Sequence, residues 1–384
     1  MTSYTLDCPP TCLVSLKDGQ NAVAGCVDGS VRVLNVAGEE LEEDWIFQLK
    51  AAVRGLELNE SDNTVYAVTK NRGLSVFDLE TGKRTRCIKR AHDAPPTAVC
   101  TMPHTSLKNQ QLATADEEGQ VRTWDLRADS PTVRTWHTQE KEDINDLKID
   151  ERHNLLAASS DGTVTAFDVR KGKLKVRSEA MHSELHSICV TSKYAYVGGA
   201  DGHIEVFKMN EYGNLLERIE SGFDMVVSGI VELRKGLLLT SSSTSNKLRL
   251  LNVMPNKRLG LIGTHGEEDD GVDFMALSAD KSTLFTGISM ESSIKKWDIA
   301  KLIEKVPILR ATDAKRKETD ETFFDDMFTE EDKERRLTKR MRKSKKVEDS
   351  DEDENSTSGV SEDEQEDEED DDDESGWETD SNQE

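Results

Sequence analysis

The feature that most constrains this chain is a register that recurs seven times in its first 300 residues. An apolar or aromatic residue followed by a polar one stands at Leu34-Asn35, Phe77-Asp78, Trp124-Asp125, Phe167-Asp168, Phe207-Lys208, Leu251-Asn252 and Trp297-Asp298, at spacings of 43, 47, 43, 40, 44 and 46 residues. Chance supplies dipeptides, but not companions at a fixed offset. Six residues before each anchor stands a short polar or acidic residue: Asp28, Asn71, Glu118, Asp161, Asp201, Ser245 and Glu291. Glycine follows directly in four of them, at Gly29, Gly119, Gly162 and Gly202, which is turn chemistry at a constant position.

An apolar strand precedes each turn, as in residues 21–26 and 155–159, and an alternating one follows it, as in 31–34 and 121–124. A further short apolar strand lies upstream and a looser, charged one downstream. Four short strands every 40–47 residues, with Trp-Asp where the pattern is clearest, are the WD-repeat signature of a β-propeller blade. The expected fold is therefore all-β: a seven-bladed propeller over 1–310, with repeats near 11–49, 53–91, 97–138, 144–182, 187–222, 227–265 and 273–304. Closure needs an outer strand for the last blade, which residues 3–7 are expected to supply, with Val306–Leu309 as the competitor. In such repeats a buried His, Ser or Thr, acid and Trp form a hydrogen-bonded tetrad that rigidifies the blade. His92, Thr114, Glu118 and Trp124 are the best candidate.

No catalytic pattern emerges. His182 and His186 have a helical metal-ligand spacing, but the acid between them is misplaced for a zinc protease and the segment falls where a propeller has a loop and a strand. Thr81-Gly82-Lys83 lacks the upstream glycine of a phosphate loop. The six cysteines form no CxxC pair and no Cys/His cluster, and read as small buried apolar residues. The chain is thus expected to be no enzyme, to hold no cofactor or metal, and to have no small-molecule substrate. Its surfaces are left for binding, with the loops 103–108 and 267–271 as the variable ones. Arg127 and Arg170 follow Trp124-Asp125 and Phe167-Asp168 in a WDxR pattern resembling the motif by which WD-repeat substrate receptors dock on the cullin-4 ubiquitin ligase adaptor. No apolar run approaches the roughly 20 residues of a membrane span, and the start lacks signal-peptide regions, so cytosol or nucleus is expected.

Charge divides the chain. The net charge is −26, yet residues 348–384 alone hold 21 acids and no base, leaving 1–347 at about −5. After Trp297-Asp298 the composition reads as disordered. A linker, 311–347, carries Phe323, Phe324, Met327 and Phe328 at helical spacing, a docking motif in form. It also carries a basic cluster, Arg335, Arg336, Lys339, Arg340, Arg342, Lys343, Lys345 and Lys346, which reads as a nuclear or nucleolar signal and a patch for contacting RNA phosphates. In the acidic run of 348–384, Ser350 and Ser361 are each followed by three acids, the pattern of acidophilic-kinase phosphorylation sites.

Residues 89–95 (KRAHDAP), 251–258 (LNVMPNKR), 296–300 (KWDIA) and 323–326 (FFDD), in that order, resemble the WD repeat-containing protein 55 family, whose yeast counterpart is Jip5. One departure is that the chain begins almost at its first strand, where human-like members carry an acidic extension. The resemblance implies a nucleolar scaffold for ribosomal RNA processing and large-subunit production, with pre-ribosomal proteins as partners and residence in the nucleus, the nucleolus and also the cytoplasm. Alternative readings are a cullin-4 substrate receptor and a histone or chromatin adaptor.

Overall fold

The second strand of each repeat is built from small apolar residues because both of its faces are covered. Leu112–Asp116, Asn154–Ser159 and Thr283–Ile288 are buried along their whole length. The fourth strands are the opposite case: Lys83–Ile88 and Lys173–Arg177 are charged and mostly exposed. These gradients set the radial order of each blade, from a central first strand to a solvated rim.

In the computed structural model the described residues are 2–17, 19–36, 42–59, 63–102, 111–253, 255–304 and 306. They form seven four-stranded antiparallel sheets. Blades 1–6 span residues 10–48, 53–88, 96–137, 144–177, 185–220 and 229–264. Blade 7 is composite: Phe274–Leu277, Thr283–Ile288 and Ser293–Asp298 supply three strands, and Thr2–Thr5 from the other end of the chain supplies the outer one. Tyr4 pairs with Ile294 and Thr5 with Ser293. Val306 instead packs against the core between blades 6 and 7, its carbonyl accepting from Arg234 Nη2 at 3.0 Å. The short helix Ile299–Ile303 leads out of the ring, capped by Asp298. The chain divides into units 1–315 and 316–384, the second wholly outside the described residues.

The core lies between blades, not within them. One cluster joins Ala113 and Ala115 of blade 3 to Ile144, Leu147 and Phe167 of blade 4. Another joins Tyr4, Phe285 and Ile294 of blade 7 to Leu13, Ala22 and Ala24 of blade 1. A polar stitch crosses each joint as well. In five blades the first strand starts with a bulge, and the side chain there or nearby reaches the next blade. Thr11 Oγ1 donates to the Val53 carbonyl at 2.7 Å, Thr97 Oγ1 to Ile144 at 2.5 Å and Asn145 Nδ2 to Leu185 at 2.8 Å. Ser187 Oγ reaches the Val227 carbonyl at 3.0 Å and Ser228 Oγ that of Val272 at 2.7 Å. Between blades 2 and 3 the stitch is an ion pair, Arg54 with Glu117. Ser289 Oγ, donating to the Pro10 carbonyl at 2.8 Å, closes the circle.

Deleting residues 1–5 removes the buried Tyr4 and a four-residue ladder. The loss of that burial and pairing costs roughly 3 kcal/mol or more. The thermal midpoint should fall by several degrees, and the bared edge of Ser293–Asp298 should increase self-association on size exclusion. A truncated chain that melts and elutes like the parent would refute this role for Thr2–Thr5.

Candidate functional site

The turns between second and third strands, and the loops that link blades, share one face of the ring. At the turns, Asp28 and Asp161 each accept the amide two residues ahead at 2.8 Å, and Asp201 does the same at 3.2 Å. Asn71 accepts from Thr69 Oγ1 at 2.7 Å. Glycine is required where it follows. Gly202 has φ +79°, and a Cβ there would lie 2.1 Å from the Phe223 carbonyl oxygen. Glu118 and Glu291 stand in their turns. Ser245 does not: the turn in blade 6 is Ser243-Thr244, and Ser245 opens the strand Ser245–Asn252. A register shift between Thr240 and Ser242 shortens that hairpin loop.

Blade 3 holds a buried hydrogen-bonded chain. Trp124 Nε1 donates to Thr114 Oγ1 at 2.7 Å, the Thr114 hydroxyl meets His92 Nε2 at 2.6 Å, and His92 Nδ1 meets Asp116 Oδ2 at 2.8 Å. The acid is therefore Asp116, not Glu118. Asp116 ends the second strand with its side chain turned inward, and its Oδ1 also accepts the amides of Glu118 and Gln120. Glu118 sits at the exposed tip of the turn. Burial lowers the pKa of His92, so the ring is neutral, with Nδ1–H donating to the carboxylate and Nε2 accepting from Thr114. Blade 7 holds a second such chain. Trp297 Nε1 donates to Thr286 Oγ1 at 2.9 Å, His265 Nδ1 lies 2.9 Å from that hydroxyl, and Ser293 Oγ is 3.1 Å from His265 Nε2. Its sequence signals are His265 before the repeat and Trp297 at the anchor, and a serine takes the place of the acid. Other blades use arginine. Arg177 Nη2 pairs with Asp161 at 2.9 Å, Arg32 with Glu43 at 2.7 Å, and Arg218 with Asp201 and with Glu205 at 3.0 Å.

Two acidic features give the turn face its electrostatic character. A concavity of about 600 Å³ is lined by Lys70, Arg72, Asp93, Glu117, Glu118 and Asp143 among others. Burial, and then the charge of Glu117, pushes the Asp143 carboxyl up, a sign of crowded negative charge. Residues 267–271 put Glu267, Glu268, Asp269 and Asp270 on the same face, while 103–108 fall outside the described residues. Inside the ring, Lys148 lies 3.9 Å from Asp146. Asp146, followed by Glu57, raises the Lys148 ammonium pKa, whereas burial raises both carboxyls.

The opposite face carries Arg127 and Arg170, in equivalent loops of adjacent blades. Arg127 Nε donates to Asp125 Oδ1 at 3.0 Å with its side chain 62% exposed. Arg86 of blade 2 fixes that loop by donating to the Ala128 carbonyl at 2.6 Å. Arg170 is exposed, its Nη2 3.1 Å from the Arg152 carbonyl. His182 lies in a bend and His186 in a strand, so no helix aligns them. Not all cysteines are buried: Cys87 is exposed, and Cys8, Cys12 and Cys189 are partly so. Phe323, Phe324, Met327 and Phe328, the basic cluster of 335–346, and Ser350 and Ser361 all lie outside the described residues.

The family model of the WD domain, G-beta repeat, matches residues 130–168. WD repeat-containing protein 55 of Homo sapiens and of Pongo abelii are each 29% identical over 286 residues, covering 73% of this chain and 71% of the relative. WD repeat-containing protein JIP5 of Coprinopsis cinerea is 30% identical over 263 residues, 64% of this chain and 62% of the relative. The chain is a WD-repeat propeller, homologous to these proteins. The matched WD repeat joins the outer strand of blade 3, Thr132–His137, to the first three strands of blade 4. Repeat and blade are thus offset by one strand, the same offset that sends Thr2–Thr5 to blade 7.

Burial depresses His265 to about 4, and the Lys295 charge adds to the effect. Its neutral form therefore contributes stability in full above the unfolded value near 6.5, and that contribution disappears as pH falls from 6.5 toward 4. The amount is up to roughly 3 kcal/mol. Urea midpoints measured against pH should fall more steeply over this range for the parent than for His265→Gln. Parallel curves would exclude a buried neutral His265.

Proposed function

We propose that this WD-repeat protein is a non-enzymatic scaffold in nucleolar ribosome biogenesis, serving ribosomal RNA processing and large-subunit production. The observation that carries the reading is the acidic, concave turn face of a rigid ring. It suits basic ligands such as the proteins of pre-ribosomal particles, through charge complementarity and fast encounter. Homology to the WD repeat-containing protein 55 and JIP5 proteins supports the assignment. In sequence, the eight bases of 335–346 supply a nucleolar address and a phosphate contact, and the 21 acids of 348–384 restrain indiscriminate RNA binding. Phosphorylation of Ser350 and Ser361 would deepen that restraint. The motif Phe323, Phe324, Met327 and Phe328 provides an apolar anchor for a partner.

Depleting the protein should accumulate unprocessed ribosomal RNA precursors, and deleting 335–346 should disperse it from the nucleolus. Unchanged precursor levels on depletion would rule the scaffold reading out.

A second reading, docking on a cullin-4 ligase adaptor, is favoured by one observation: Arg127 and Arg170 are exposed at the same rim of adjacent blades. It predicts that Arg127→Glu combined with Arg170→Glu abolishes adaptor pull-down by the full chain. Failure of the parent itself to capture the adaptor would remove this reading.

A further inference from the structure

At the seam where blade 7 meets blade 1, the structure assembles a set of side chains that sequence spacing does not reveal. Cys8 follows the closing strand Thr2–Thr5, Cys26 ends the second strand of blade 1, and Asp28 stands in the turn beyond it. The Cys8 sulfur, the Cys26 sulfur and a carboxylate oxygen of Asp28 all lie within 4.8 Å of one another, the one such ligand group among the described residues. Backbone bonds hold this geometry. The Leu6 amide donates to Ser292, the Val27 amide to Pro9 at 3.0 Å, and Gly29 to Cys26 at 3.1 Å, while Pro10 pairs with Cys26 in the sheet.

Distance and charge point the same way. A tetrahedral ion about 2.3 Å from each sulfur needs ligand atoms roughly 3.5–4 Å apart, so a contraction of about 1 Å or less completes the site. Two thiolates and one carboxylate beside the Arg32 guanidinium sum to −2, which a divalent cation neutralises. Arg32 is held by Ser30 Oγ and Glu43, 3.8 Å from Asp28 Oδ2. Ser30 donates its amide and hydroxyl to Asp28 Oδ1 at 2.8 and 2.6 Å, orienting the carboxylate while leaving lone pairs for an ion.

We propose that Cys8, Cys26 and Asp28 bind a thiophilic divalent cation of the zinc class, with a fourth position open to water or to a partner's side chain. The ion ties the segment after the closing strand to blade 1, so metal binding and ring closure reinforce each other.

Titrating the reduced full-length chain with cobalt(II) tests this. A thiolate-to-cobalt charge-transfer absorption should saturate at one equivalent and be erased by zinc(II). Cys8→Ser and Cys26→Ser should each abolish it, whereas Cys87→Ser, on the exposed rim of blade 2, should retain it. Oxygen ligation by the acidic run produces no such band. Asp28→Asn should keep the band but weaken affinity tenfold or more. Zinc should raise the thermal midpoint of the parent by several degrees and leave that of Cys8→Ser unchanged. Absence of the band at stoichiometric cobalt would overturn the proposal. So would its persistence in Cys8→Ser, or recovery of Cys8 and Cys26 from reducing buffer as a disulfide.

Discussion

Everything in this ring depends on the joint between one blade's first strand and the next. Small residues such as Ala113, Ala115, Ala157 and Ala158 let neighbouring sheets approach closely, and the apolar surface they bury supplies most of the cohesion. A neutral side chain that crosses a joint, such as Thr11 or Ser289, adds only about 1 kcal/mol net. Its larger effect is geometric: a hydroxyl or amide aimed at one carbonyl admits one rotation between blades. Because the joints form a circle, opening any of them bares the apolar faces of two sheets at once, and strain is shared around the whole ring.

Within that circle, two chemistries meet the same need of tying a turn to the strands behind it. Blades 3 and 7 use a Trp, a Thr and a buried neutral histidine. Blades 1, 4 and 5 use an arginine and the carboxylate of the turn, Asp28, Asp161 or Asp201. The histidine chains are insulated from salt and fail in acid, whereas the partly exposed ion pairs are screened by salt. The turn face is stiffened by both, and the acids that the turns require also give it a negative surface. Structural demand and binding character therefore arise from the same residues.

Much of this was legible in the sequence, because a period near 44 residues and turn glycines at constant register leave few alternatives to a propeller. What was misread has physical causes. Counting back from Trp124 lands on Glu118, but the histidine needs the inward-facing residue that ends the second strand, and that is Asp116. Ser245 was assigned to a turn because a constant offset ignores a register shift. In the blade 7 chain no acid marks the partner of His265, because Ser293 does its work. Glu57 and Asp146 of different blades, and Cys8 and Cys26, come together only through ring closure, which no local pattern encodes. The motif at Phe323–Phe328 and the charged segments beyond it were legible only as composition.

The offset between repeat and blade also sets a temporal order. Thr2–Thr5 leave the ribosome before the rest of the ring, but their partner, Ser293–Asp298, is made nearly 290 residues later. At usual synthesis rates that is an interval of about 15–60 s. Throughout it, the first strand has no native neighbour and blade 1 has only one flank covered. A truncated nascent chain can build most of the blades yet never shut. Closure thus waits on synthesis through residue 298, and until then the ring keeps an unpaired strand at one end and an uncovered sheet face at the other.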